Sequence, residues 1–297
     1  MKKLLLFDAN ALLHRAYHAL PPLTDKKGRL VNALYGFTSS ILSALKNFQP
    51  QYVAVAFDSP GKTYRHKEYK EYKATRPKYD EAFYKQIPLA QHLLEVFNVP
   101  VFARQGYEAD DIIAAIKVKS EKLKVKTIIA TGDLDTLQLV DENASVWNLG
   151  RGEKQAILYD PQKVHERYGL KPSQIVDFKA LKGDPSDNIK GLPGIGDKGA
   201  QSLLAQFGSL DNLYKNLNKV ENEKIRHVLQ DNKELAFANQ KLVKLQTDWP
   251  EHLDLSACKL KDYDKAKLIK HLEEFGFKSL IKRLPEAKPN QNQNKLF

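Results

Sequence analysis

Three short apolar runs in this 297-residue chain each end in an aspartate, and they restrict its fold more than any other feature. They are Leu4-Leu5-Leu6-Phe7-Asp8, Val53-Ala54-Val55-Ala56-Phe57-Asp58 and Ile128-Ile129-Ala130-Thr131-Gly132-Asp133. Apolar runs without polar alternation read as strands covered on both faces, as in a parallel α/β sheet. Ligands of such sheets sit beyond the carboxyl ends of the strands. Three acids from distant parts of the chain are therefore expected on one rim. There they repel one another unless a cation joins them.

The intervening sequence fits that sheet. Apolar spacing predicts helices over 33–45, 87–97 and 109–123, and strands over 52–57, 99–102, 127–130, 146–147 and 156–159. Strands alternating with helices predict a mainly parallel sheet with helices on both faces, occupying residues 1–170. From Lys171 the pattern changes to helices without strands, over 173–182, 198–207, 210–217 and 222–245. These predict a smaller helical domain over 171–284. Residues 285–297, rich in Pro, Asn, Gln and Lys, cannot bury a core and are expected to form a disordered tail.

The chain carries 47 Lys and Arg against 36 Asp and Glu, a net charge of +11. That balance favours a polyanionic partner, nucleic acid first and an acidic membrane surface second. One cysteine, Cys258, excludes an internal disulfide framework and fits a reducing compartment. The apolar stretch before Asp8 is too short for a signal-peptide core, and no run approaches membrane-spanning length. A soluble, intracellular, cytoplasmic protein is expected.

More acids join the strand-end aspartates. Glu108, Asp110 and Asp111 open a predicted helix, where residues three apart share a face. Asp135 follows Asp133 by two, and Asp184 and Asp187 sit in a Gly/Pro-rich turn at the start of the helical domain. Capping and turn formation would explain each helix-start or turn acid singly. Jointly, the set of Asp8, Asp58, Glu108, Asp110, Asp111, Asp133, Asp135, Asp184 and Asp187 is better explained by cations. Two like charges about 4 Å apart repel by roughly 4 kcal/mol at an effective dielectric near 20. Oxygen-only ligands suit Mg²⁺ or Mn²⁺, and this many suit two ions. Two-metal phosphodiester hydrolysis is the expected chemistry.

Two further segments point to nucleic acid. Residues 61–86 interleave Lys62, Arg65, Lys67, Lys70, Lys73, Arg76, Lys78 and Lys85 with Tyr64, Tyr69, Tyr72, Tyr79, Phe83 and Tyr84. Cations pair with phosphate and rings stack on unpaired bases. The segment begins just after Asp58, so it is expected to rise over the acid rim. Gly191-Leu192-Pro193-Gly194-Ile195-Gly196-Asp197-Lys198-Gly199-Ala200 leads into a helix and reads as a hairpin gripping a duplex backbone.

Taken together these stretches resemble the 5′-nuclease (5′–3′ exonuclease and flap endonuclease) domain of bacterial DNA polymerase I in stand-alone form. The matching residues also include 13–20, Tyr64-Arg65-His66, Tyr72 to Pro77, Tyr107 to Asp111 and Lys182 to Asn188, in family order over 1–284. The resemblance implies a PIN-like α/β core, a helical arch near 61–86 and a helix–three-turn–helix domain. It implies Mg²⁺-dependent cutting at a 5′ flap, nick or 5′ end in primer removal and repair by a monomer, with the nine acids as metal ligands. It assigns Asp8, Asp58, Lys73 and Arg76 to catalysis, the latter two on the scissile phosphate. It assigns DNA contacts to His14, Arg15, Arg65, Tyr72, Gly191, Gly194, Gly196 and Lys198, and allows K⁺ in the hairpin. Gln293-Asn294-Lys295-Leu296-Phe297 resembles a sliding-clamp docking peptide, which would use Gln293, Leu296 and Phe297.

Rival readings fit less of the chain. A haloacid-dehalogenase-type phosphatase wants an acid where Asn10 stands and leaves the hairpin unexplained. A compact PIN-type RNase lacks the helical domain. A non-cutting DNA scaffold gains nothing from a self-repelling site.

Overall fold

The computed structural model describes residues 2–76, 80–149, 155–248 and 255–285. Its main sheet has six strands: β1 (Lys3–Asp8), β2 (Tyr52–Ala56), β3 (Val101–Phe102), β4 (Lys126–Thr131), β5 (Ala144–Asn148) and β6 (Ile157–Tyr159). Their order is β3-β2-β1-β4-β5-β6. The pairings from β3 through to β5 are parallel, while β6 runs antiparallel to β5. The chain steps outward from β1 through β2 to β3, then crosses to the other side for β4 and β5. The strand order therefore reverses between β1 and β4, where open α/β sheets hold their ligands. Asp8 ends β1 and Asp133 follows β4 by two residues.

Side chains alternate along each strand, so the apolar runs feed two cores. Leu5, Phe7, Val53 and Val55 face one layer, while Leu4, Leu6, Ala54 and Ala56 face the other. Each Leu or Phe buried this way contributes about 1.5–3 kcal/mol. Helices α1 (Ala9–Ala19), α2 (Asn32–Phe48) and, beyond the short α3 (Tyr64–Glu68) and α4 (Glu81–Tyr84), α5 (Gln86–Val96) cover the first face. Helices α6 (Ala109–Lys122) and α7 (Pro161–Tyr168) cover the second. Helix α1 falls where no helix is expected from sequence. It starts because the Asp8 side chain accepts the Ala11 N–H at its first turn.

The helical part contains α8 (Ile175–Lys182), α9 (Asp197–Phe207), α10 (Leu210–Lys215), α11 (Glu223–Asp231) and α12 (Lys233–Val243), packed around Phe178, Leu181, Leu204, Leu213 and Leu229. It also holds an unexpected hairpin, β7 (Gly183–Asp184) against β8 (Ile189–Lys190), too short to show any pattern. The single helix expected over 222–245 is two, α11 and α12. The break is at Asn232 (φ −116°), whose side-chain amide donates to the Val228 carbonyl. Helices α13 (Lys265–Glu274) and α14 (Lys278–Ile281) depart from the expected 171–284 unit. Leu268, Leu272, Phe277 and Leu280 pack into the α2/α5 core, and Leu255 and Cys258 join the opposite face of the sheet. Amphipathic spacing shows that a helix buries one face; it does not show which layer receives it. Among the described residues no helix is long and apolar enough to cross a membrane.

Glycine is obligatory where β7 and β8 meet. A Cβ on Gly191 would lie 2.1 Å from the Lys182 carbonyl oxygen and 2.8 Å from the Gly183 nitrogen. Gly183 has φ +81°, and a Cβ added there would lie 2.3 Å from the Gly191 nitrogen. Gly191→Ala must therefore force the hairpin open, and should cost about 1–3 kcal/mol or more. Gly194→Ala has free space and only a positive φ to overcome, about 1–2 kcal/mol. Thermal unfolding should rank Gly191→Ala clearly below Gly194→Ala; equal midpoints would contradict the packing described.

Candidate functional site

Asp8, Asp58, Glu108, Asp110, Asp133 and Asp135 line one open cavity of about 640 Å³, together with His14, Arg15, Lys73 and Arg76. Asp184 and Asp187 lie alongside, sharing a small second cavity with Asp110 and Asp135. Asp111 is buried against Arg65. Acids from five separate stretches of chain thus meet where the strand order reverses.

Local devices fix most of them. Asp8 Oδ1 accepts the Ala11 N–H at 3.0 Å and Oδ2 accepts the Thr131 hydroxyl at 2.9 Å, tying β1 to β4. Asp58 Oδ1 accepts the N–H of Ala109 at the start of α6, at 2.8 Å. Its own N–H donates to Asn10 Oδ1 at 3.0 Å, which gives Asn10 a positioning part of its own. Glu108 and Asp111 form the capping box of α6. Asp184 accepts the N–H and the hydroxyl of Ser186 at 3.0 and 2.6 Å. Capping and cavity lining are here properties of the same residues.

Internal cations offset part of the repulsion. The Arg65 side chain is 2% exposed and donates to Glu108 at 2.9 Å, to both Asp111 oxygens at 2.8 Å and to the Leu242 carbonyl at 2.8 Å. Removing one partner of such a buried pair costs about 3–5 kcal/mol. Lys179 of α8 bridges Asp135 and Asp184, the latter at 2.7 Å. Lys73 donates to Glu108 at 2.8 Å and Arg76 to Asp187 at 2.6 Å. The Tyr72 hydroxyl reaches Glu108 at 3.0 Å and Asp187 at 2.8 Å.

The compensation is incomplete. Burial, with Asp58 and Asp133 nearby, pushes the Asp8 carboxyl up to about 7. Burial and the neighbouring Asp133 push Asp135 up to about 7. Burial and Asp111 hold Asp110 well above the usual carboxylate range. Asp58 opens onto the cavity yet is crowded by protein behind, and that desolvation raises it too. Burial alone would also raise Glu108 and Asp184. Lys73 and Arg65 outweigh it at Glu108, and Lys179 at Asp184, so both stay low. Carboxylate oxygens of Glu108, Asp110 and Asp111 come within 4.8 Å of one another, as do those of Asp135, Asp184 and Asp187. Such oxygen-only clusters, short of positive charge, fit hard divalent cations.

The residues expected to touch nucleic acid separate into two groups. Arg15, Lys73 and Arg76 line the cavity, as does His14, which stacks on Phe83 at 4.3 Å. Burial, then Arg76, lowers His14 to about 4. Gly194, Gly196 and Lys198 face open space at the start of α9. Two expectations are corrected, at Arg65 and Tyr72. Arg65 spends its guanidinium on Glu108, Asp111 and Leu242 inside the protein and has no surface to offer. Tyr72, 3% exposed, is buried against Ile189 and Leu242 rather than open for stacking. Gly191 packs so closely on the Lys182 backbone that the packing alone requires a glycine there. The expected rise over the rim is also modified, since Tyr72, Lys73 and Arg76 lie down on the acids. Lys78, Tyr79, Gln293, Leu296 and Phe297 lie outside the described residues. Sequence reasoning missed Lys179, Thr131 and Asn10. Nothing in the spacing distinguishes Lys179 from Lys182 on the same helix.

Two family models match the chain: "5′-3′ exonuclease, N-terminal resolvase-like domain" over residues 3–169 and "5′-3′ exonuclease, C-terminal SAM fold" over 170–266. DNA polymerase I of Caldicellulosiruptor bescii is 41% identical over 284 residues, which cover 95% of this chain and 33% of that protein. The chain thus spans about a third of the length of the polymerase relatives it matches. The 5′-3′ exonuclease of Aquifex aeolicus is 38% identical over the whole of both chains. In fold, the chain is similar to the bacteriophage T5 D15 flap endonuclease (TM-score 0.70, 22% identity, 95% and 96% of the two chains). It is also similar to flap endonuclease-1 from Methanococcus jannaschii (TM-score 0.60, 18% identity, 95% and 90%). A resolvase-like α/β domain followed by a SAM-type helical domain, matched end to end by a relative at 38% identity, places this chain in the 5′–3′ exonuclease family.

Proposed function

We propose that the protein is a divalent-metal-dependent 5′-nuclease that cuts DNA, and RNA primer, at 5′ ends, nicks and 5′-flap junctions during Okazaki-fragment processing and repair. The observation that carries this reading is the cavity at the strand-order reversal lined by six carboxylates, with Lys73, Arg76 and Arg15 on its wall. Asp8, Asp58, Glu108, Asp110, Asp111, Asp133, Asp135, Asp184 and Asp187 would hold the ions, Mg²⁺ first and Mn²⁺ in its place. When bound, such ions supply Lewis-acid stabilisation and an activated water for in-line displacement at phosphorus.

The chain's own residues do the rest. Lys73 and Arg76 turn from Glu108 and Asp187 to the scissile phosphate within the cavity they already share. Asp8 and Asp58, held to angle by Ala11, Thr131 and Ala109, would face the ions, since their own charge repels phosphate. Gly194, Gly196 and Lys198 hold duplex phosphates at the start of α9, which fixes position without reading bases. The basic balance of the chain, +11 overall, favours any DNA over none. A cytoplasmic monomer acting at the nucleoid fits this role, and Gln293, Leu296 and Phe297 would tether it to a sliding clamp.

A labelled 5′-flap duplex tests the reading. Products at the flap junction should form with Mg²⁺, vanish with chelator and fall by about 10²–10³-fold in Asp58→Asn. Cutting that survives chelation, or release of inorganic phosphate alone, overturns it. Deleting Leu296 and Phe297 should weaken affinity for the cognate clamp at least about tenfold, about 1.4 kcal/mol; unchanged affinity removes the tether.

Stability gives a second test. Native Asp8 and Asp135 keep their protons up to about pH 7, whereas unfolded carboxylates release theirs near pH 4. Between those values the native state binds more protons, so the metal-free protein loses stability as pH rises through the window. His14, lowered to about 4, opposes this only below about pH 6.5. At pH 8 without metal, Asp8→Asn should melt several degrees above the wild type, because Asn still caps α1 and carries no charge. It should also be nearly inactive. A lower melting point for Asp8→Asn would mean that the carboxylate is not strained.

A further inference from the structure

Away from the acid cavity, two histidines on different helices face each other. His92 Nε2 on α5 and His271 Nε2 on α13 stand 3.2 Å apart. Both remaining ring nitrogens are spoken for. His271 Nδ1 lies 3.0 Å from the Lys267 carbonyl oxygen, and only a protonated nitrogen is stable there. His92 Nδ1 lies 3.3 Å from Glu95 Oε2 in the same way. With both Nδ1 atoms donating, the neutral rings point two lone pairs at one another. That is unfavourable without a positive guest.

We propose that His92 and His271 form a surface site for a borderline divalent transition metal of the Zn²⁺ class, clipping α13 to α5. A tetrahedral ion with Zn–N bonds of about 2.0–2.1 Å holds its ligand nitrogens about 3.3 Å apart, close to the spacing seen. The ring centres are 5.1 Å apart, less than two rings meeting nitrogen to nitrogen on a straight line require. The lone-pair axes are therefore bent off a common line, as two ligands of one tetrahedral ion must be. The outer hydrogen bonds match the usual support of a metal-bound imidazole, in which the far N–H is held by a carboxylate or a backbone carbonyl. Imidazole pairs select Zn²⁺, Ni²⁺ or Cu²⁺ over the hard ions that suit the acid cavity. Leu93 and Leu94 of α5 share one buried core with Leu268 and Leu272 of α13, so the two helices are already packed and the site is preorganised. Waters would complete the coordination.

The full-length protein can be titrated with ZnCl₂ in excess Mg²⁺, which competes at the acid cluster. Calorimetry should show a saturable Zn²⁺ site in the wild type. His92→Ala and His271→Ala should each weaken it at least tenfold, and the double variant should be no weaker than either single one. The three variants should keep wild-type cleavage in Mg²⁺ alone. Zn²⁺ should also raise the wild-type melting temperature more than that of His92→Ala. Equal Zn²⁺ stoichiometry, affinity and melting shift in wild type and variants would overturn the site and leave the pair sharing a proton only.

Discussion

Carboxylates crowded closer than water would tolerate set the terms for the rest of this fold. At about 4 Å each like-charged pair costs roughly 4 kcal/mol even at an effective dielectric near 20. The chain meets that cost in three ways at once. Helix starts absorb part of it, because Asp8 caps α1 and Asp58 reaches the first N–H of α6. Buried cations absorb more, through Arg65 and Lys179. What is left adds to the larger effect of burial in raising the pKa values of Asp8, Asp110 and Asp135. A site of this kind is kept at the expense of stability, as expected where activity depends on a strained arrangement.

The same contacts join the two parts of the molecule. Arg65 pairs with Glu108 and Asp111 from the sheet domain and donates to Leu242 at the end of α12. Asp111 also accepts the Gln246 N–H at 2.9 Å, and Gln138 exchanges hydrogen bonds with Val243 and Leu245. Asp184 and Asp187 are carried by the β7–β8 turn and reach the sheet acids through Lys179 and Tyr72. Docking of the helical part is therefore built from the residues that order the acids. A change that loosens α12 should disturb Asp111 before it disturbs the sheet.

How much of this was legible in the sequence follows from what periodicity can and cannot express. The strand-end acids were legible because an uninterrupted apolar run has one common reading, and the end of such a strand has a fixed place in the sheet. Arg65 was misread because eight basic residues within 61–86 look alike in sequence. Burial distinguishes them, and burial of Arg65 is decided by Glu108 and Asp111, more than forty positions away. Lys179 and Lys182 differ by less than one helical turn; one bridges Asp135 and Asp184, and the other pairs with Asp197. The β7–β8 hairpin is two residues a side, below the length at which alternation exists. Helix α13 had a readable apolar face but no mark of its destination on the α2/α5 layer.

Backbone strain gives the basic segment its particular character. Lys73 has φ +55° and Asn188 has φ +59°, left-handed conformations that cost a non-glycine residue of order 1 kcal/mol or more. The two positions support each other. The Lys73 N–H donates to the Asp187 carbonyl at 3.0 Å, and the Asn188 amide donates to the Glu71 carbonyl at 2.8 Å. Strain of this sort persists only while the surrounding contacts over-determine it. Here those contacts include Lys73 on Glu108, Arg76 on Asp187 and the Tyr72 hydroxyl shared between both acids. Whatever neutralises Glu108 and Asp187 from the cavity side weakens the bonds that hold the segment down. The charge of the acids and the posture of the segment above them are thus one coupled variable, and a polyanionic strand drawing away Lys73 and Arg76 acts on both.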